Sequence, residues 1–127
     1  MRGNEYQKLA MRTNDGKCTD RLLRAIEKAA DEYGMDVGGV FNACLGLSGE
    51  AGEAEDMIKK WIFQEMPLDT TRLKKEIGDV LWYVAQMCHS FGWEMEEMME
   101  MNIEKLRIRY PNGFDPKGSM ERVDEAK

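Results

Sequence analysis

The sequence predicts an all-α protein, a compact antiparallel helical bundle of four to five helices. Only three prolines interrupt the 127 residues. Between them the apolar residues recur at intervals of three and four instead of alternating, which is the period of a helix and not of a strand. The two longest periodic stretches are joined by about five residues, and helices so connected must pack antiparallel.

The elements follow in order. A short first helix is expected over about Glu5 to Arg12, then a turn at Asn14-Asp15-Gly16. The second helix, about Thr19 to Tyr33, ends where Gly34 can take the left-handed cap position. The third, from about Gly38 to Gln64, stacks Val40, Cys44, Leu47, Ala51, Ala54, Ile58 and Trp61 or Ile62 along one side and stops before Pro67. Asp69 can cap a fourth helix, Thr70 to Phe91, with Ile77, Val80, Leu81, Val84 and Cys88 toward the core and Gly92 closing it. A fifth runs from about Glu94 to Arg109 and ends at Pro111. The length is that of one domain, 1–127, with 111–127 expected as an irregular tail because it is rich in turn dipeptides and poor in apolar residues.

Composition excludes several classes. Cys18, Cys44 and Cys88 are odd in number and widely spaced, which fits a reduced interior and neither a disulfide framework nor a zinc knuckle. The N-terminus is polar and no apolar run reaches spanning length, so a soluble, cytoplasmic protein with no membrane partner is expected. The net charge of −6, with no lysine- or arginine-rich tract, argues against a nucleic-acid polymer as partner. An anionic ligand would need positioned cations or a bound metal.

Carboxylates supply the place for a metal. Glu50 and Glu53 are three apart on the third helix, and Glu76 and Asp79 repeat that spacing on the fourth. On antiparallel neighbours the four can converge, and a converged set is stable only around a cation. Oxygen-only donors select a hard ion, Mg²⁺ or, as a substitute, Mn²⁺. The stretch GLSGEAGEAEDMIKKW places Gly46, Gly49 and Gly52 among these residues, although each interior glycine costs a helix about 1 kcal/mol relative to alanine. The expectation is that Gly49, Gly52 and Gly78 let the backbones approach closely. A di-iron carboxylate bundle needs two Glu-x-x-His elements, and the single His89 rules it out.

The segments GLSGEAGEAEDMIKKW, KKEIGDVLWYVA and NIEKLRIRYPNGF together resemble the MazG-like all-alpha nucleoside triphosphate pyrophosphohydrolases, and NEYQKLAMRT is similar to the opening of small single-domain members. The resemblance spans Asn4 to Phe114. It implies Mg²⁺-dependent hydrolysis of a (deoxy)nucleoside triphosphate to monophosphate and pyrophosphate, of house-cleaning type, with Glu50, Glu53, Glu76 and Asp79 as metal ligands. It further implies phosphate contacts from Asn102, Lys105 and Arg109 and a base contact from Tyr83. A base-stacking tryptophan of some relatives falls here on Lys60, with Trp61 one step on, so both are candidate substrate contacts. Many members double the first glutamate of each motif, where this chain has Gly49 and Lys75.

Glu53 is the candidate catalytic residue, taking a proton from water beside the metal. Tyr83 follows Asp79 by four and shares its face, whereas Trp82 points about 100° away and is assigned to core or interface. On the fifth helix Met95, Met99, Ile103 and Leu106 form one apolar seam and Met98, Met101 and Ile108 a second. A helix with two such seams buries both, which predicts a homo-oligomer, dimer or tetramer. Two further readings stay open: a non-catalytic helical module that binds a nucleotide or protein, and a phosphoribosyl-ATP pyrophosphohydrolase.

Overall fold

The computed structural model describes residues 1–125. The backbone divides into two compact units, Met1–Gly38 and the chain from Gly39 onward. Each is taken by itself. Both are helical, with no strand among the described residues and no helix long and apolar enough to cross a membrane.

In the first unit, α1 (Gly3–Ala10) tightens into a 3₁₀ turn at Met11–Thr13 and is followed by α2 (Cys18–Tyr33). The Asn14-Asp15-Gly16 turn is held by its own side chains. Asn14 Oδ1 accepts from the Gly16 N–H and Asp15 Oδ1 from the Lys17 N–H, both at 3.0 Å. Asp15 also pairs with the Arg21 guanidinium. Gly34 caps α2 at φ 60°, and the Gly34 and Met35 N–H groups donate back to Ala30 and Ala29 in the paired pattern that ends a helix.

The second unit is organised by α3 (Val37–Phe63) and α4 (Thr70–Phe91). The Asp69 side chain caps α4 by accepting from the Arg72 N–H at 3.0 Å, and Gly92 closes it at φ 70°. The two helices run antiparallel in one continuous register. Asn42 donates to Gln86 at 2.8 Å, Gly46 lies under the Tyr83 ring, Glu50 meets Asp79, and Glu53 meets Glu76. Each step of three or four along α3 is answered by such a step back along α4, so one contact dictates the rest.

The glycines do not act as expected. A Cβ added at Gly49, Gly52 or Gly78 would meet nothing within 4 Å, whereas one at Gly46 would overlap the Tyr83 ring. The close approach is therefore made by a ring entering α3 at Gly46, one turn away from the carboxylates.

Phe91 and Trp93 stack across the next turn with centroids 4.3 Å apart, and α5 (Met95–Arg109) begins with Met98 Sδ 3.9 Å from Cys88 Sγ. Beyond Arg109 the expected irregular tail is instead ordered: α6 (Pro116–Glu121) and a 3₁₀ turn at Val123–Glu125 follow, while residues 126 and 127 lie outside the described residues. Asp115 caps α6 by accepting from the Gly118 N–H at 2.8 Å, with Pro116 in the first turn. Gly118 is obligatory there, because a Cβ would stand 2.6 Å from the Arg109 carbonyl oxygen. Arg109 grips Asp124 through two bonds of 2.6 and 2.8 Å and reaches Glu125 at 3.1 Å.

Little of the expected core is closed within one chain. Ala43 and Cys88 are buried, but Leu47, Ile62, Ile77 and Leu81, read as core-facing, are all exposed. The apolar face exists as predicted, and no other described element of the second unit covers it.

Two predictions follow from this packing. Gly46→Ala gains about 1 kcal/mol of helix propensity but forces the Tyr83 ring out, and overpacking of this kind costs about 1–3 kcal/mol. Thermal unfolding should therefore show Gly46→Ala destabilised and Gly52→Ala neutral or stabilised by up to about 1 kcal/mol. For the tail, the Arg109 hydrogen bonds hold the Asp124 carboxyl below the usual carboxylate range. A depressed carboxyl contributes stability that is complete above its unfolded value and lost as pH falls through the folded one. Asp124→Asn should lower the melting temperature by a few degrees at pH 7, and the difference from wild type should shrink on acidification below about pH 4.

Candidate metal and nucleotide site

The register of α3 against α4 brings the carboxylates together. One oxygen each from Glu50, Glu76 and Asp79 lies within 4.8 Å of the others. Glu76 is only 9% exposed, so its charge is partly removed from water. Glu53 stands beside Glu76: a hydrogen bond with Glu76, and then the charge of Glu76, holds the Glu53 carboxyl above its ordinary range. The raised proton affinity of Glu53 is the electrostatic consequence of crowding like charges on the two facing helices.

These residues fit a hard divalent cation. The donor set is oxygen only, three oxygens can be shared by one ion, and their spacing comes from two facing helices instead of a flexible loop. Glu50, Glu76 and Asp79 would hold the ion directly, with Glu53 at its side.

Two clefts flank the cluster. The larger, about 400 Å³, has Gly49 and Gly52 on the α3 side, Glu53, Asp56, Lys60, Asp69 and Arg72 as its charged groups, and Met57, Met66, Pro67 and Leu68 as an apolar wall. Here the absent side chains of Gly49 and Gly52 keep space open for a ligand. The smaller cleft is lined by Glu50, Asp79, Trp82 and Tyr83. Trp82 and Tyr83 meet edge to face with centroids 5.1 Å apart, so Trp82 shares the Tyr83 cleft instead of being confined to core or interface as expected.

The other expected contacts are distributed unevenly. Lys60 lines the larger cleft, where Asp56 holds its ammonium at 2.7 Å. Trp61, next to it, lines neither cleft and is half exposed. Asn102, Lys105 and Arg109 also line neither. The charge of Lys105 acts on Asp124, and Arg109 is committed to Asp124 and Glu125, so both cations face the tail.

Sequence reasoning missed Arg72. Its Nε lies 3.7 Å from Glu76 Oε1, and it contributes to the larger cleft. The signal was available: a basic residue four positions before a candidate ligand on one helix lies on the ligand's own face.

Comparison with known proteins bears on the same region. Residues 42–114, which include all four carboxylates, match the MazG nucleotide pyrophosphohydrolase domain. A relative, the "Gene 37 protein" of Mycobacterium phage L5, is 33% identical over 79 residues, covering 59% of this chain and 69% of the relative. No solved structure matches at a significant level.

Proposed function

The chain belongs to the MazG nucleotide pyrophosphohydrolase domain family, and on that premise we propose that it is a divalent-metal-dependent hydrolase converting a (deoxy)nucleoside triphosphate to the monophosphate and pyrophosphate. The observation that supports this reading best is the meeting of Glu50, Glu76 and Asp79 within 4.8 Å beside a cleft that carries Lys60 and Arg72. Mg²⁺, with Mn²⁺ as a substitute, would supply polarisation of the phosphoryl oxygens and acidification of a bound water.

The chain's own residues do the rest. Glu53 is the general base: the neighbouring Glu76 raises its proton affinity, which makes it a better acceptor at neutral pH. Lys60 offsets triphosphate charge at the cleft, and Tyr83 offers a ring to the base at the edge of the ligand cluster. Asn102, Lys105 and Arg109 are proposed phosphate contacts carried by family resemblance, and Arg109 can act so only by releasing Asp124. The physiological role is house-cleaning hydrolysis in the cytoplasm.

The test is a panel of ribo- and deoxyribonucleoside triphosphates, with phosphoribosyl-ATP included, in which pyrophosphate and orthophosphate are measured separately. Pyrophosphate should appear with Mg²⁺ and vanish on chelation. Glu53→Gln should keep the fold and lower kcat by about 10²–10⁴-fold, the range for loss of a general base. A fully active Glu53→Gln protein would overturn the assignment.

The functional form is a homo-oligomer, dimer or tetramer. Ile62, Ile77 and Leu81 on the helix pair and Met99 and Met101 on α5 are exposed in the single chain, and exposed apolar side chains of this kind are the usual material of an association surface. Light scattering should give a mass at least twice the 14.6 kDa of the chain, and Leu81→Glu should lower it. A wild-type mass equal to one chain at micromolar concentration would contradict this.

A further inference from the structure

Two arginines compete for the role of phosphate ligand, and their surroundings separate them. Arg109 is 13% exposed and makes two short bonds to Asp124, itself 1% exposed. Moving that guanidinium would strand a buried carboxylate, a costly step. Arg72 is 65% exposed and stands 3.7 Å from Glu76, an ion-pair distance beyond that of a hydrogen bond. Its positive charge also acts on Glu53 and Asp56. One loosely held guanidinium thus faces three carboxylates at the mouth of the larger cleft. Lys60, the other cation there, is already held by Asp56 at 2.7 Å.

We propose that Arg72 is the internal counter-ion of the carboxylate cluster and transfers to the triphosphate when a divalent cation takes its place at Glu76. This rests on the pyrophosphohydrolase reading above. A cation bound at Glu50, Glu76 and Asp79 takes the negative charge that attracts Arg72 and adds positive charge beside it. The guanidinium is then released toward the cleft, where a substrate phosphate carries more charge than the Glu53, Asp56 or Asp69 carboxylates lining it and has oxygens that match the planar fork of donors. The exchange keeps a positive charge beside Glu76 both before and after metal binding, and it brings a phosphate ligand into position only once the metal is present.

The two halves of the proposal are separately measurable. Mn²⁺ alone, titrated calorimetrically without nucleotide, should bind Arg72→Gln about two- to tenfold more tightly than wild type, because the competing cation is gone. Inorganic pyrophosphate, titrated in the presence of saturating Mn²⁺, should bind Arg72→Gln about ten- to a hundredfold more weakly, the loss expected for a charge-assisted hydrogen bond. Arg72→Lys should return Mn²⁺ affinity to the wild-type value and recover pyrophosphate affinity only in part. Unchanged or weaker Mn²⁺ binding by Arg72→Gln would overturn the counter-ion role, and unchanged pyrophosphate binding would overturn the phosphate role. Neither arm requires turnover, so a protein that hydrolysed no triphosphate would refute the enzymatic reading while leaving the Mn²⁺ result to judge Arg72 by itself.

Discussion

Everything in the candidate site depends on the register between α3 and α4. A helix pair can slide by a turn at modest cost when its contact face is uniform, and this face is not, since its contacts are an amide pair, a ring on a glycine and paired carboxylates. What pins it is the Tyr83 ring against Gly46, the only position among Gly46, Gly49 and Gly52 where a side chain would collide, together with the Asn42–Gln86 hydrogen bond one turn further on. A slip of one turn would move Glu50 past Asp79 and part Glu53 from Glu76. The ring and the amide pair therefore set the geometry of the carboxylate cluster from outside it.

The carboxylates work against the fold they sit in. Glu76 is nearly removed from solvent, with Glu53 sharing a hydrogen bond and Glu50 and Asp79 close by. A sequence selected for stability alone would place apolar residues there, since burial of like charges is among the few changes that strongly destabilise a protein. Local conflicts of this sort mark functional positions. The chain eases the conflict with a raised proton affinity at Glu53 and with the Arg72 guanidinium beside Glu76.

How far the sequence reveals this depends on the range of the interaction involved. The helices were legible because their signals are local: Asp69 and Gly92 bracket α4 at the expected positions, and Gly34 closes α2. The pairing of Glu50 and Glu53 with Glu76 and Asp79 was legible because a short connection leaves one arrangement for two long helices. The purpose of the glycines was not, since the residue that fills the space above a glycine lies on another helix and at a register no spacing reveals. The tail was missed for another reason. Asp115 and Pro116 are a helix-start signal, but six residues of helix carry too little periodicity to register, and what orders them is the distant Arg109–Asp124 pair. The apolar faces of α3 and α4 were identified, while their exposure depends on what packs against them and not on periodicity.

The tail also changes how the basic residues of α5 should be understood. Lys105 and Arg109 are four apart, and by spacing alone they form one basic face available to an anion. The structure supplies that anion from within the chain: Asp124 bonds Arg109 and feels the charge of Lys105. The interaction ties α5 to the 3₁₀ turn at Val123–Glu125, while Gly118 packs against the Arg109 carbonyl and Tyr110 meets Ser119 at 2.5 Å. A guanidinium so enclosed contributes to the order of the last helix first, and any contact it makes with phosphate must compete with a carboxylate that is already desolvated. The helix pair has the opposite arrangement, a solvent-exposed guanidinium over a carboxylate that a metal can claim. Charge at the two ends of the second unit is thus handled in two ways, fixed where it builds structure and loosely held where it meets the candidate site.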